Sequence, residues 1–134
     1  MLCALIMAGG TGKRFWPLST DEHPKQLLKL FSDKSMLRET VERILPLIPI
    51  ENIYIATNIV QADAIIQEIP MLPKENLIIE PAFKDTAAAI GFSSLYIQRR
   101  QHDATLVVLA SDHLVMDKEA FIETVKIGAS EAEY

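Results

Sequence analysis

The sequence predicts an α/β fold: a Rossmann-like, doubly wound, mostly parallel sheet built in β-α-β-α-β-α-β-α order. Three observations carry that expectation. Four short apolar runs rich in β-branched residues, at Leu2–Met7, Asn52–Thr57, Asn76–Glu80 and Thr105–Ala110, alternate with stretches of helical periodicity. The runs are apolar at successive positions, as strands covered by helices on both faces require. The first run also stops abruptly at Gly9-Gly10-Thr11-Gly12, and the carboxyl ends of strands are where open parallel sheets place their ligands.

Each element has its own justification. Leu2–Met7 is the first strand, with Cys3 as a small core residue. A helix is expected around Ser35–Leu45, with Ser35 as N-cap and Leu37, Val41, Ile44 and Leu45 on one face. Asn52–Thr57 is the second strand, and Gln61–Ile69 a second helix ended by Pro70. Asn76–Glu80 is the third strand. Thr86–Arg100 is the third helix, opened by Asp85 or Thr86 as a cap and rich in alanine at Ala87–Ala89. After the strand Thr105–Ala110, Asp117 caps a last helix that buries Phe121, Ile122 and Val125. Right-handed crossovers in a doubly wound order set the first and fourth strands side by side. The loop Gly9–Arg14 should then lie next to Ser111-Asp112-His113.

Length and composition bound the function. The 134 residues suit one domain, 1–134, with a sizeable core; 49% are hydrophobic and 23% charged. Thirteen basic against 18 acidic residues give a net charge of −5, which argues against a nucleic-acid platform. A single cysteine excludes an intrachain disulfide and suits a reducing compartment. The apolar start, Met1–Ala8, has no basic flank and is too short for a signal peptide or membrane span, so a cytoplasmic location is expected. The last helix runs to Glu133-Tyr134 without a C-cap glycine, the pattern of a truncated domain.

Four constellations carry chemistry. The loop Ala8-Gly9-Gly10-Thr11-Gly12-Lys13-Arg14 joins close-approach glycines to two cations, a cradle for a polyphosphate. It matches neither standard fingerprint. A P-loop would need glycine at Met7 and Ser or Thr at Arg14, and a dinucleotide fold would need glycine at Phe15. A plain solvated glycine turn stays open on these residues alone. Pro24-Lys25-Gln26 offers a cation whose backbone is pinned by proline, against the alternative of an ordinary surface lysine. Ser111-Asp112-His113 places a carboxylate where magnesium would sit between phosphates, or else a turn residue; His113 suits a hydrogen-bonded structural role. Glu80-Pro81 with Asp85-Thr86 is either a turn and helix cap or a nucleobase site, where a Glu carboxylate accepts from the Watson–Crick edge of guanine.

In order, these motifs resemble the signatures of the sugar nucleotidyltransferases across the whole chain. Phe15-Trp16, Gln26, Glu80-Pro81 and Ser111-Asp112-His113 are most similar to the guanylyl branch, which forms GDP-mannose from GTP and mannose 1-phosphate. The resemblance implies that Ala8, Gly9, Gly10, Thr11, Gly12 and Lys13 hold the triphosphate and that Arg14 offsets developing charge. It implies further that Lys25 bridges the α-phosphate and the sugar phosphate and that Asp112 holds Mg²⁺. The same resemblance implies that Ser111 belongs to the nucleotide site and that Glu80, Asp85 and Thr86 lie near guanine and ribose. Three positions depart from the pattern: Asp85 stands at a common Asn, Lys13 at a frequent Thr, and Ala88 at a frequent Pro. Only the nucleotide-binding part is matched, so these residues alone are expected to be inactive or weakly active. No nucleic acid or membrane partner is implied, and a homodimer of the longer protein is an open option. The alternatives are transfer to another hexose 1-phosphate, a non-catalytic GTP-binding regulatory module, and an interaction domain.

Overall fold

The computed structural model describes residues 1–10, 15–21 and 23–133. Its strands are β1 (Leu2–Met7), β2 (Ile53–Thr57), β3 (Leu77–Ile79) and β4 (Thr105–Ala110), and its helices α1 (Met36–Ile44), α2 (Ala62–Glu68), α3 (Asp85–Gln98) and α4 (Lys118–Ala132). The strands form one parallel sheet in the order β3-β2-β1-β4. The expected neighbourhood of the first and fourth strands is therefore present, in register from Leu2 opposite Thr105 to Met7 opposite Ala110. Met7 also faces Ala56 across β2. The loops after β1, β2 and β4 thus leave the sheet at one level, which is what assembles a site from three distant stretches of sequence.

Two apolar layers hold the sheet. Ile6 and Ile55 meet Leu37, Val41 and Ile44 of α1 and Ile65 of α2 on one face, all with no exposed surface. Cys3, Leu5, Tyr54 and Ile78 meet Ile97 of α3 on the other. Burying each such aliphatic side chain contributes roughly 1.5–3 kcal/mol. Continuous apolar strands are needed because β1 and β2 are covered on both sides. The edge strand β4 departs from that expectation: Val108 keeps 39% exposure, and α4 buries none of its residues fully. Phe121, Ile122 and Val125 are only partly buried as they pack onto the α1 layer.

Caps explain where helices begin. Ser35 sits in extended backbone and its hydroxyl accepts from the Arg38 amide, as the sequence predicts. Asp117 does the same for α4 through Ala120. The expected capping by Asp85 or Thr86 is corrected: α3 starts at Asp85 itself, after Lys84, with no side-chain cap. A capping oxygen needs extended backbone at its own residue, whereas Asp85 has φ of 65°, the left-handed region. The second helix likewise begins at Ala62, one residue after the expected start. Among the described residues, no helix is long and apolar enough to cross a membrane.

Candidate functional site

The site begins where β1 ends. The Ala8 amide still donates to Ala56 O at 2.8 Å, and the chain then leaves the sheet. From here the carbonyl side of the backbone is taken up by side chains from every neighbouring loop. Ser111 Oγ donates to Met7 O at 2.7 Å. Thr57 Oγ1 and Gln26 Nε2 donate to Ala8 O at 3.0 and 2.9 Å. Asn58 Nδ2 donates to Gly9 O at 3.1 Å. Gln26 Nε2 and Gln61 Nε2 each reach Gly10 O at 3.2 Å. Gln26 Nε2 also donates to Gln61 Oε1 at 2.6 Å, which ties the braces to one another.

This arrangement has a direct electrostatic consequence. In a trans peptide the carbonyl of one residue and the N–H of the next point in opposite directions, and the only cis bond among the described residues is Trp16–Pro17. Clamping Ala8 O and Gly9 O against the protein therefore turns the N–H groups of Gly9 and Gly10 away from it. Among the described residues neither N–H has a hydrogen-bond partner. Two adjacent outward amides are the donors that an anion-binding nest uses.

A cation and a carboxylate stand beside it. Lys25 lies in a single 3₁₀ turn, Lys25–Leu27, behind buried Pro24. Its ammonium pairs with the Asp112 carboxylate and sits 5.1 Å from the centre of the Phe15 ring. Both charged side chains are half-buried. The proline-pinned segment thus holds the ammonium inward and brings it to the loop after β4. His113 Nε2 lies 3.6 Å from Asp112 Oδ1, but its ring is 73% exposed. The structural role expected of His113 belongs to its backbone, whose carbonyl accepts from Arg43 Nη2 at 3.2 Å.

Glu80 follows β3 and closes the other side. Its amide continues the sheet pattern to Thr57 O at 2.8 Å. A Cβ built on Gly9 would lie 3.0 Å from Glu80 Oε1, so glycine is what lets this carboxylate approach the loop. Burial pushes the Glu80 carboxyl above its ordinary range. A cavity of about 130 Å³ opens beside it, lined by Glu80, Pro81, Ala82, Lys84, Ala88 and Phe92 among others. Asp85 and Thr86 are exposed at the start of α3, next to that cavity rather than lining it.

The structure thus brings Ala8, Gly9, Gly10, Lys25, Glu80, Ser111 and Asp112 to one end of the sheet. Ser111 is 4% exposed and its hydroxyl is engaged by Met7, so it acts as a brace. Thr11, Gly12, Lys13 and Arg14 lie outside the described residues. Sequence reasoning missed Thr57, Asn58 and Gln61. Their signal was positional, since Thr57 ends the second strand and Asn58 and Gln61 lie just beyond it, at the carboxyl end where sites form.

The donor set fits a divalent cation in one way only. Among the described residues no three His, Cys, Asp or Glu side chains cluster as a metal cage. Magnesium accepts one or two carboxylates and completes its shell with phosphate oxygens and water. Asp112 suits that role if the nucleotide supplies the rest.

A family model described as nucleotidyl transferase matches residues 3–133. The chain is 36% identical over 135 residues to a mannose-1-phosphate guanylyltransferase of Klebsiella pneumoniae, covering 99% of this chain and 28% of that protein. A putative mannose-1-phosphate guanylyltransferase of Vibrio cholerae is 38% identical over 136 residues, with 99% and 29% covered. A solved structure described as mannose-1-phosphate geranyltransferase from Thermus thermophilus superimposes with a TM-score of 0.79 at 38% identity, covering 94% of this chain and 36% of that one. The chain therefore spans under a third of the length of the two curated relatives.

Proposed function

Because the chain belongs to the nucleotidyl transferase family, we propose that it forms the nucleotide-binding part of an enzyme that makes GDP-mannose and pyrophosphate from GTP and mannose 1-phosphate. The observation that carries the proposal is the clamped loop: its carbonyls are held by Thr57, Gln26 and Asn58, and its Gly9 and Gly10 amides are left for an anion. A kinase or dehydrogenase loop would need residues absent at Met7, Arg14 and Phe15.

In this reaction a phosphate oxygen of mannose 1-phosphate forms a bond to the α-phosphorus of GTP. The bond from that phosphorus to the bridging oxygen breaks, and pyrophosphate leaves with the electron pair. Such chemistry needs positioning and charge stabilisation more than covalent participation. The Gly9 and Gly10 amides hold triphosphate oxygens, and Arg14 is assigned to the charge that develops on them. Lys25 exchanges the Asp112 carboxylate for phosphate oxygens when nucleotide enters, and lines up the two reacting phosphates. Asp112 is the residue that would hold Mg²⁺, which when bound neutralises phosphate charge. Glu80 accepts from the guanine edge beside the cavity after β3, with Asp85 and Thr86 toward the ribose.

The test is pyrophosphate release by the complete polypeptide that contains these residues, with GTP, UTP, dTTP and ATP each paired with several hexose 1-phosphates. The expected result is fastest release with GTP and mannose 1-phosphate. Faster release with UTP or dTTP would remove the guanine assignment, and faster release with another sugar phosphate would remove the mannose assignment. GTP binding without pyrophosphate release from any pair would favour a regulatory module.

A further inference from the structure

The chemistry assigned above leaves one buried cation unused. Arg43, in the last turn of α1, is 7% exposed, and among the described residues it forms no ion pair. Burying a guanidinium without a carboxylate is costly unless its donors and its flat face find partners. Here one nitrogen and the face do. Arg43 Nη2 donates to Thr40 Oγ1 on its own helix and to the carbonyl of His113, each at 3.2 Å. The guanidinium carbon lies 5.3 Å from the centre of the Phe121 ring on α4. Thr40 Oγ1 in turn donates to Met36 O at 2.9 Å, so the guanidinium rests on a fixed helix.

We propose that Arg43 is a positioning residue that fixes the Ser111–His113 segment and, through it, the Asp112 carboxylate. The geometry is a suspension from two points. On one side of Asp112, Ser111 is tied to Met7 O in β1; on the other, the His113 carbonyl is tied to Arg43 in α1. Among the described residues the Asp112 carboxylate pairs with Lys25 and the exposed His113 ring, and neither pairing holds its backbone. Its position is therefore set by its neighbours' anchors. An uncharged apolar residue at position 43 would leave the His113 carbonyl without its donor, and the carboxylate would spread over a wider range of positions.

This inference rests on Asp112 meeting the nucleotide-bound cation, so the experiment separates the two. In the complete polypeptide, Arg43→Met, Arg43→Lys and Asp112→Asn are compared by amide hydrogen exchange and by the Mg²⁺ dependence of GTP binding in calorimetry. With Arg43→Met, exchange rises at residues 111–114 while the α1 core positions stay protected. The Mg²⁺ concentration for half-maximal GTP binding rises roughly 10-fold, the lower end of what losing a partner of a metal ligand costs. GTP affinity without Mg²⁺ is unchanged, and Arg43→Lys recovers part of the loss. Adding Arg43→Met to Asp112→Asn changes the Mg²⁺ dependence no further. Unchanged exchange at 111–114, or equal loosening of α1 and α4, overturns the inference. If the Met variant does not fold, Arg43→Lys decides, with raised exchange confined to 111–114 expected and no change overturning. An Asp112→Asn protein with normal Mg²⁺ dependence removes the role given to Asp112, while hydrogen exchange still judges Arg43.

Discussion

Two loops leave the same end of the sheet and are built oppositely. The one after β1 has its carbonyls held by Thr57, Gln26, Asn58 and Gln61, all of them buried except half-buried Asn58. The one after β3 runs from Pro81 to Lys84 with every residue exposed, and it enters α3 through left-handed backbone at Asp85 without a side-chain cap. The difference matches what each would meet. A triphosphate presents a fixed array of charge and rewards a backbone that needs no reorganisation. Under the proposed function a base and ribose would instead meet exposed groups at a helix start without a side-chain cap. Gly9 and Glu80 are where the two loops touch.

The largest effect that sharpens this contrast is on catalysis. Lys25→Ala removes the half-buried ammonium beside Asp112, and kcat of the complete enzyme should fall roughly 10²–10³-fold, the usual cost of one stabilising donor. Lys84→Ala, in the exposed loop, should change kcat by less than about tenfold. Steady-state pyrophosphate release measures both. Equal losses would erase the distinction between a prepared phosphate side and an adaptable base side.

Next comes a loss of stability. Gln26 is 4% exposed. In Gln26→Leu, Ala8 O keeps Thr57 and Gly10 O keeps Gln61, so the orphaned atom is Gln61 Oε1. One buried unsatisfied acceptor costs about 1–3 kcal/mol. Urea unfolding should show a loss in that range, whereas Thr86→Ala, exposed in the first turn of α3, should stay within about 0.5 kcal/mol. A Gln26→Leu protein as stable as its parent would mean that the brace network adds nothing.

This brace network also marks what the sequence could and could not say. The alternation of strands and helices, the adjacency of β1 and β4, the Ser35 and Asp117 caps and the placing of Gly9 beside Asp112 were legible from periodicity, capping chemistry and right-handed crossovers, whereas Lys25 joined them only through the resemblance. Gln61 and Asn58 were not legible. A polar residue just after a strand reads as turn chemistry, and only the three-dimensional level of Met7, Ala56 and Ala110 shows that its side chain reaches back across the sheet. Arg43 was hidden for a similar reason. On α1 it sits at a helix C-terminus, where a solvated cation is the ordinary expectation, and its burial depends on the distant Phe121 and His113.

At the contact between the loops the expected effect is smaller. Gly9→Ala places a Cβ 3.0 Å from Glu80 Oε1, the mobile end of a side chain, so the carboxylate must give way by a few tenths of an ångström. The cost should be about 1 kcal/mol, and it should shrink in a Glu80→Ala background, since residues in contact couple by roughly 0.5–3 kcal/mol. Strict additivity in that double-mutant cycle would show that the two loops are independent.

The smallest effect concerns Glu80 alone, and its sign is what matters. Burial raises the folded-state pKa of this carboxyl. The folded protein then holds the proton more tightly than the unfolded chain, so the group's contribution is full below the ordinary carboxylate range and is lost as pH rises through the raised value. Glu80→Gln removes the titration, and its melting temperature should exceed that of the parent at pH 7, with the difference closing toward about pH 4. GTP affinity should change the other way, because glutamine offers one acceptor where the guanine edge presents two donors. A residue that costs stability while it strengthens binding is placed by its ligand, whereas one whose replacement weakens both belongs to the scaffold. Glu80 sits where the rigid loop ends and the exposed one begins, so the pair of measurements states on which side of that boundary it acts.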